Sequence, residues 1–77
     1  MKVEIISPES IVYSGEADLI SLPGSKGAFE ILQSHAAIIS SLSKGKIKVK
    51  NKEQEQFFDV NGGMVECSSN KVNILVN

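Results

Sequence analysis

The chain has 77 residues, a formal net charge of −1, 42% hydrophobic and 22% charged residues, and a mean hydropathy of +0.02. This length holds one small domain, near the size at which apolar burial only just offsets chain entropy. No apolar run approaches the roughly 20 residues that span a bilayer, and Glu4 interrupts what would have to be the apolar core of a secretory signal, so a cytoplasmic location and no direct membrane insertion are expected.

Short runs rich in Val, Ile, Phe and Leu recur between turn signals, and a period of two dominates over 3.6, which predicts an all-β chain. Val3 to Ser7 reads as the first strand, closed by Ser7-Pro8-Glu9-Ser10. Ile11 to Tyr13 follows and ends at Ser14-Gly15, and Glu16 to Leu22 ends at Pro23-Gly24. Ala28 to Leu32 and Ala37 to Leu42 flank Gln33-Ser34-His35. Lys46 to Lys50, Gln56 to Val60, Met64 to Ser68 and Val72 to Val76 complete nine segments. Asn61-Gly62-Gly63 reads as a hairpin, because Asn-Gly supplies both positive-φ residues of a type I′ turn. Ser69-Asn70 turns the next, so three consecutive antiparallel strands are expected to end the chain. Many short strands at regular spacing imply a sandwich or barrel within a single domain, residues 1–77.

Chemistry-bearing residues are sparse. Lys44, Lys46, Lys48 and Lys50 alternate with Gly45, Ile47 and Val49, placing the lysines on one face of a strand. A phosphate-binding stripe is one reading, but Glu53, Glu55 and Asp59 stand ready to pair across a hairpin, and no aromatic residue interleaves for base stacking. All eight basic residues are lysine, without the planar fork of arginine that suits phosphate and base edges. Gly24-Ser25-Lys26-Gly27 lacks the spacing of a nucleotide-binding loop. His35, the single histidine, has neither an orienting partner nor a second metal ligand nearby, so neither a catalytic residue nor a metal or cofactor is expected. The single cysteine, Cys67, sits in an alternating run and reads as a buried structural thiol.

Taken in order, Ser14-Gly15, Leu22-Pro23-Gly24-Ser25-Lys26-Gly27-Ala28-Phe29, His35-Ala36, Leu42 followed by Lys44-Gly45, Asn61-Gly62-Gly63 and the closing Asn70-Lys71-Val72-Asn73-Ile74-Leu75-Val76 resemble the ε subunit family of F-type ATP synthases. The resemblance runs over the whole chain. It departs where that family commonly has glycine in place of Glu30, proline in place of Gln33 and proline in place of Ala37, and in lacking the two-helix hairpin of about 50 residues that generally follows, a module that needs packing support at that size.

The resemblance implies a flattened ten-stranded antiparallel β-sandwich, the tenth strand divided from the Ala28 to Leu42 region, with the C-terminal helical domain absent. It also implies a non-catalytic rotor subunit at the foot of the central stalk, at the cytoplasmic face of a bacterial plasma membrane, whose partners are the γ subunit and the c-ring. By carry-over, Lys26, Ala28, Glu30 and His35 would face the c-ring, and Ser7 and Ser40, with the apolar residues around them, would lie towards γ. The alternative from composition alone is a small β-barrel module that binds an oligonucleotide or oligosaccharide.

Overall fold

A computed structural model describes all residues, Met1 to Asn77. Nine strands form: β1 (Lys2–Ile6), β2 (Ile11–Glu16), β3 (Leu19–Leu22), β4 (Phe29–Leu32), β5 (Ile38–Leu42), β6 (Gly45–Asn51), β7 (Gln54–Val60), β8 (Gly63–Ser68) and β9 (Lys71–Val76). They divide into a five-stranded sheet A, in the order β2-β1-β9-β8-β5, and a four-stranded sheet B, in the order β4-β3-β6-β7. The two layers make a flattened sandwich of 26 × 23 × 18 Å.

Alternation dictates the layering. In β1, Val3 and Ile5 are fully buried while Lys2, Glu4 and Ile6 turn away; in β9, Val72, Ile74 and Val76 point in while Lys71, Asn73 and Leu75 point out. Ile20, Leu22, Ile31, Ile47 and Val49 answer them from sheet B, and the buried core of 16 residues is wholly apolar. Tyr13 and Phe58 close one side of the sandwich, their ring centroids 5.6 Å apart and tilted by 55°.

The structure revises four expectations. There are nine strands rather than ten: between Ala28 and Leu42 the chain makes only β4 and β5, and the neighbouring stretch contributes a single bridge, Gly24 to Leu42. The sheets are not purely antiparallel, because β1 pairs with β9 in parallel register from Lys2↔Lys71 to Ile6↔Leu75. Ser14-Gly15 does not end a strand: Gly15 lies inside β2 opposite Val3, where a Cβ would stand 2.9 Å from the Tyr13 hydroxyl, and the chain turns at Ala17-Asp18 instead. Asn61-Gly62-Gly63 is no hairpin, since β7 belongs to sheet B and β8 to sheet A. The positive φ angles fall at Gly62 (+142°) and Gly63 (+152°) rather than at Asn61 and Gly62, so the backbone stays extended in a glycine-only conformation and crosses between layers.

The hairpins that do form are tight. Ser69 and Asn70, at φ +50° and +60°, join β8 to β9 as expected, and Lys52, at φ +60°, begins the two-residue loop between β6 and β7. The backbone N–H of Lys52 donates to Asp18 Oδ2 at 2.7 Å.

Gln33 draws this end of the sandwich together. Its Oε1 accepts from the N-terminal ammonium of Met1 at 3.0 Å and from Asn70 Nδ2 at 3.3 Å, and its Nε2 reaches Asp18 Oδ1 at 3.4 Å. The Asn70 Oδ1 in turn accepts from the N–H of Ser34, a residue held at φ +61°. A proline at position 33 could make none of the three side-chain bonds. Gln33→Ala is therefore expected to cost about 1 kcal/mol, one hydrogen bond to a charged group plus a weak pair, read as a lower urea midpoint with an unchanged slope.

Cys67 is buried on the inner face of β8, and burial pushes its thiol up from the ordinary value of 9.0. The folded protein is expected to resist alkylation at pH 8 until denaturant is added. The raised value also has a sign for stability: the contribution is fully present below about pH 9, and is lost as rising pH ionises the thiol in the unfolded chain first.

Candidate functional site

The lysine face of sheet B is self-neutralised. Register sets Lys46 opposite Asp59, Lys48 opposite Phe57 and Lys50 opposite Glu55. Lys46 Nζ lies 2.9 Å from Asp59 Oδ1, and Lys48 Nζ lies 3.9 Å from Glu55 Oε2. Such exposed pairs add little stability, but they cancel the positive stripe that a nucleic-acid reading needs.

The outer face of sheet A is different. Because cross-strand partners share a face, register arranges its outward residues in three rows. Ile6, Leu75, Met64 and Ser41 form the first, continued on β2 by Ile11, where β1 and β2 shift register. Glu4, Asn73, Glu66 and Ile39 form the second, and Lys2, Lys71 and Ser68 the third. Ile11 (65%), Ile39 (69%), Leu75 (55%) and Met64 (47%) are exposed to an extent unusual for side chains of that size. Ile6, Ile39, Met64 and Leu75, with Glu66 and Asn73, line a groove of about 290 Å³.

The residues expected to share one partner-facing loop are dispersed. Lys26 and Ala28 sit exposed in the loop between β3 and β4, at the same end as the Ser7 to Ser10 turn and Asn61. Glu30 lies on the outer face of sheet B, accepting from Ser21 Oγ at 3.3 Å. His35 is at the opposite end, beyond the whole of β4, a strand of about 13 Å; its Nδ1 is 2.6 Å from the carbonyl oxygen of Ala36. Lys26 and His35 thus stand beyond opposite ends of β4.

Ser7 turns β1 into β2, its Oγ accepting from the N–H of Ser10 at 3.2 Å. Ser40 pairs with the buried Val65 and so belongs to the inner side of β5, its hydroxyl donating to the carbonyl of Ser41 at 3.0 Å. Its neighbour Ile39 is the outward residue. Sequence reasoning missed the apolar row itself, although the signal was present: Met64-Val65 and Ile74-Leu75-Val76 place apolar side chains on both faces of their strands.

This fold and sequence match the family model of the ATP synthase delta/epsilon chain β-sandwich domain over residues 1–77. The chain belongs to that family. Within it, the ATP synthase epsilon chain of Leptospira interrogans serogroup Icterohaemorrhagiae serovar copenhageni is 41% identical over 75 residues, which cover 97% of this chain and 59% of that one. The epsilon chain of Francisella philomiragia is 38% identical over 76 residues, covering 99% and 52%. The chain thus spans between half and three fifths of the length of these curated relatives.

Among solved structures, a chain of the Tetrahymena thermophila mitochondrial ATP synthase central stalk and c-ring aligns with a TM-score of 0.83 at 20% identity, over 97% of this chain and 61% of that one. A chain of the Euglena gracilis mitochondrial ATP synthase aligns with a TM-score of 0.90 at 14% identity, over 96% and 48%. At these identities the likeness is one of fold, and the family's sandwich architecture is what this chain adopts.

Proposed function

We propose that this domain is a non-catalytic rotor subunit of a proton-translocating F-type ATP synthase, fixed to the γ subunit by the outer face of sheet A and resting on the c-ring by one end. Membership of the delta/epsilon family over residues 1–77 supports the complex. The single observation that carries the docking face is the row of exposed Leu75 and Met64 with half-buried Ile6, joined by exposed Ile39, on a strand surface otherwise polar or charged. A free-standing domain of 77 residues gains nothing from leaving such a row in water.

In this reading Ser7 borders the γ-facing surface at the end of β1, and Ser40 contributes through the position of Ile39 beside it. Lys26 and Ala28 form the ring-facing pair, because they share an exposed loop end. Glu30 and His35 fall outside that contact. The mechanism needs no bond chemistry: a sandwich whose ladders hold 38 strand hydrogen bonds is a stiff body, and two interfaces on it transmit rotation between ring and γ. The complex would place it at the cytoplasmic face of a bacterial membrane.

The test is binding to the cognate γ subunit. Leu75→Asp is expected to weaken the complex at least about 100-fold, as for a central apolar contact, while thermal melting of the isolated domain stays within a few degrees. Unchanged affinity would reject the face as the γ contact.

A further inference from the structure

The row that carries this docking face has a second property. On one flank it is bordered by Glu4 and Glu66, on either side of Asn73 in the adjacent row, and neither carboxylate has a cationic group within salt-bridge distance. On the other flank the surface runs out into the Ser7 to Ser10 turn. The apolar row is one residue wide over β2, β1, β9 and β8 and steps diagonally to Ile39 on β5, so the stripe is about 19 Å long with a step of about 4.8 Å.

A sheet face offers no free backbone groups, because its ladders already pair them; an extended segment laid on it would leave its own N–H and C=O groups unmatched. A helix satisfies its backbone internally, and its i, i+3, i+4 ridge has a spacing of about 5–6 Å, close to the step of the row. The carboxylates on one side then require a matching sign on the helix. Resting on the reading that sheet A faces γ, we propose that the element of γ seated here is one amphipathic helix of about 13 residues running across the strands, with its apolar ridge on Ile6, Leu75 and Met64 and with lysine or arginine on the flank that meets Glu4 and Glu66.

The experiment uses the purified complex with γ. Benzophenone-maleimide is attached after Ile11→Cys in one sample and Ile39→Cys in another, on the edge strands β2 and β5 at the two ends of the apolar stripe. Both probes are expected to label a single segment of γ, at sites about a dozen residues apart. The double variant Glu4→Gln, Glu66→Gln is expected to lower affinity about 10-fold at low salt and to flatten the salt dependence of binding. Labels on segments remote from each other in γ, or a Gln pair that leaves affinity and salt dependence unchanged, would overturn the proposal. Leu75→Asp separates the two levels: lost binding there with an indifferent Gln pair overturns the cationic helix alone, whereas retained binding overturns the docking face as well.

Discussion

Gly63→Ala is expected to lower the melting temperature by about 15–25 °C. Gly63 sits at φ +152° at the start of β8, and a Cβ there would overlap the carbonyl oxygen of Leu75 and stand 3.0 Å from Val76 Cα. Both obstacles are backbone of the paired strand β9, so no rotamer change relieves them. Strain in a glycine-only region costs about 1–3 kcal/mol, and forced separation of packed strands adds about 1–3 more. A chain of this length holds only about 4–12 kcal/mol in total, and each kcal/mol moves the midpoint by about 4–8 °C. Gly27→Ala is the control: Gly27 also has positive φ, at +131°, but nothing lies within 4 Å of its Cβ position, so strain acts alone. Thermal melts followed by circular dichroism decide the matter, and equal shifts for the two variants would remove the steric argument.

The second large effect contrasts two neighbours in β9. Ile74 is fully buried and Leu75 is 55% exposed, although they are adjacent, because the pleat sends them to opposite faces. Ile74→Ala is expected to destabilise the fold by about 3–4 kcal/mol through lost burial and a residual cavity. Leu75→Ala is expected to change stability by less than about 0.5 kcal/mol, yet to weaken binding to γ. Urea titrations of both variants beside a binding assay test this directly, and a Leu75→Ala protein as unstable as Ile74→Ala would mean that sheet A is not the exposed face described above.

Much of the fold was legible because most strands obey the period of two, and most of the eight joints between them fall at turn residues that force a change of direction: Pro8, Pro23-Gly24 and Ser69-Asn70 among them. The failures share one physical cause. A local signal specifies that the chain bends, not which sheet receives the next strand. Asn61-Gly62-Gly63 looks like a hairpin from its residue types, but β8 pairs with β9, which follows it, and with β5, which is remote in sequence, leaving β7 to the other sheet. The parallel pairing of β1 with β9 has no local signature at all. The docking face was hidden for a related reason: whether Leu75 or Ile39 is inward depends on register across strands, and a one-residue shift reverses it. The separation of Lys26 from His35 was hidden too, because closeness in sequence does not show that β4 runs between them.

The place of β9 also bears on how the molecule comes into being. Sheet A runs β2-β1-β9-β8-β5, so the hairpin β1–β2 and the pair β5–β8 are connected only through the central strand. Lys2 meets Lys71 across most of the sequence, a contact of high order whose loop-closure entropy must be overcome late, as in other sandwiches that fold in milliseconds to seconds. During synthesis both halves therefore wait, with their apolar edges open, for the strand made last of the nine. The row of Ile6, Leu75 and Met64 forms only once β9 has joined both halves, so under the proposed role no γ-facing surface exists before sheet A closes.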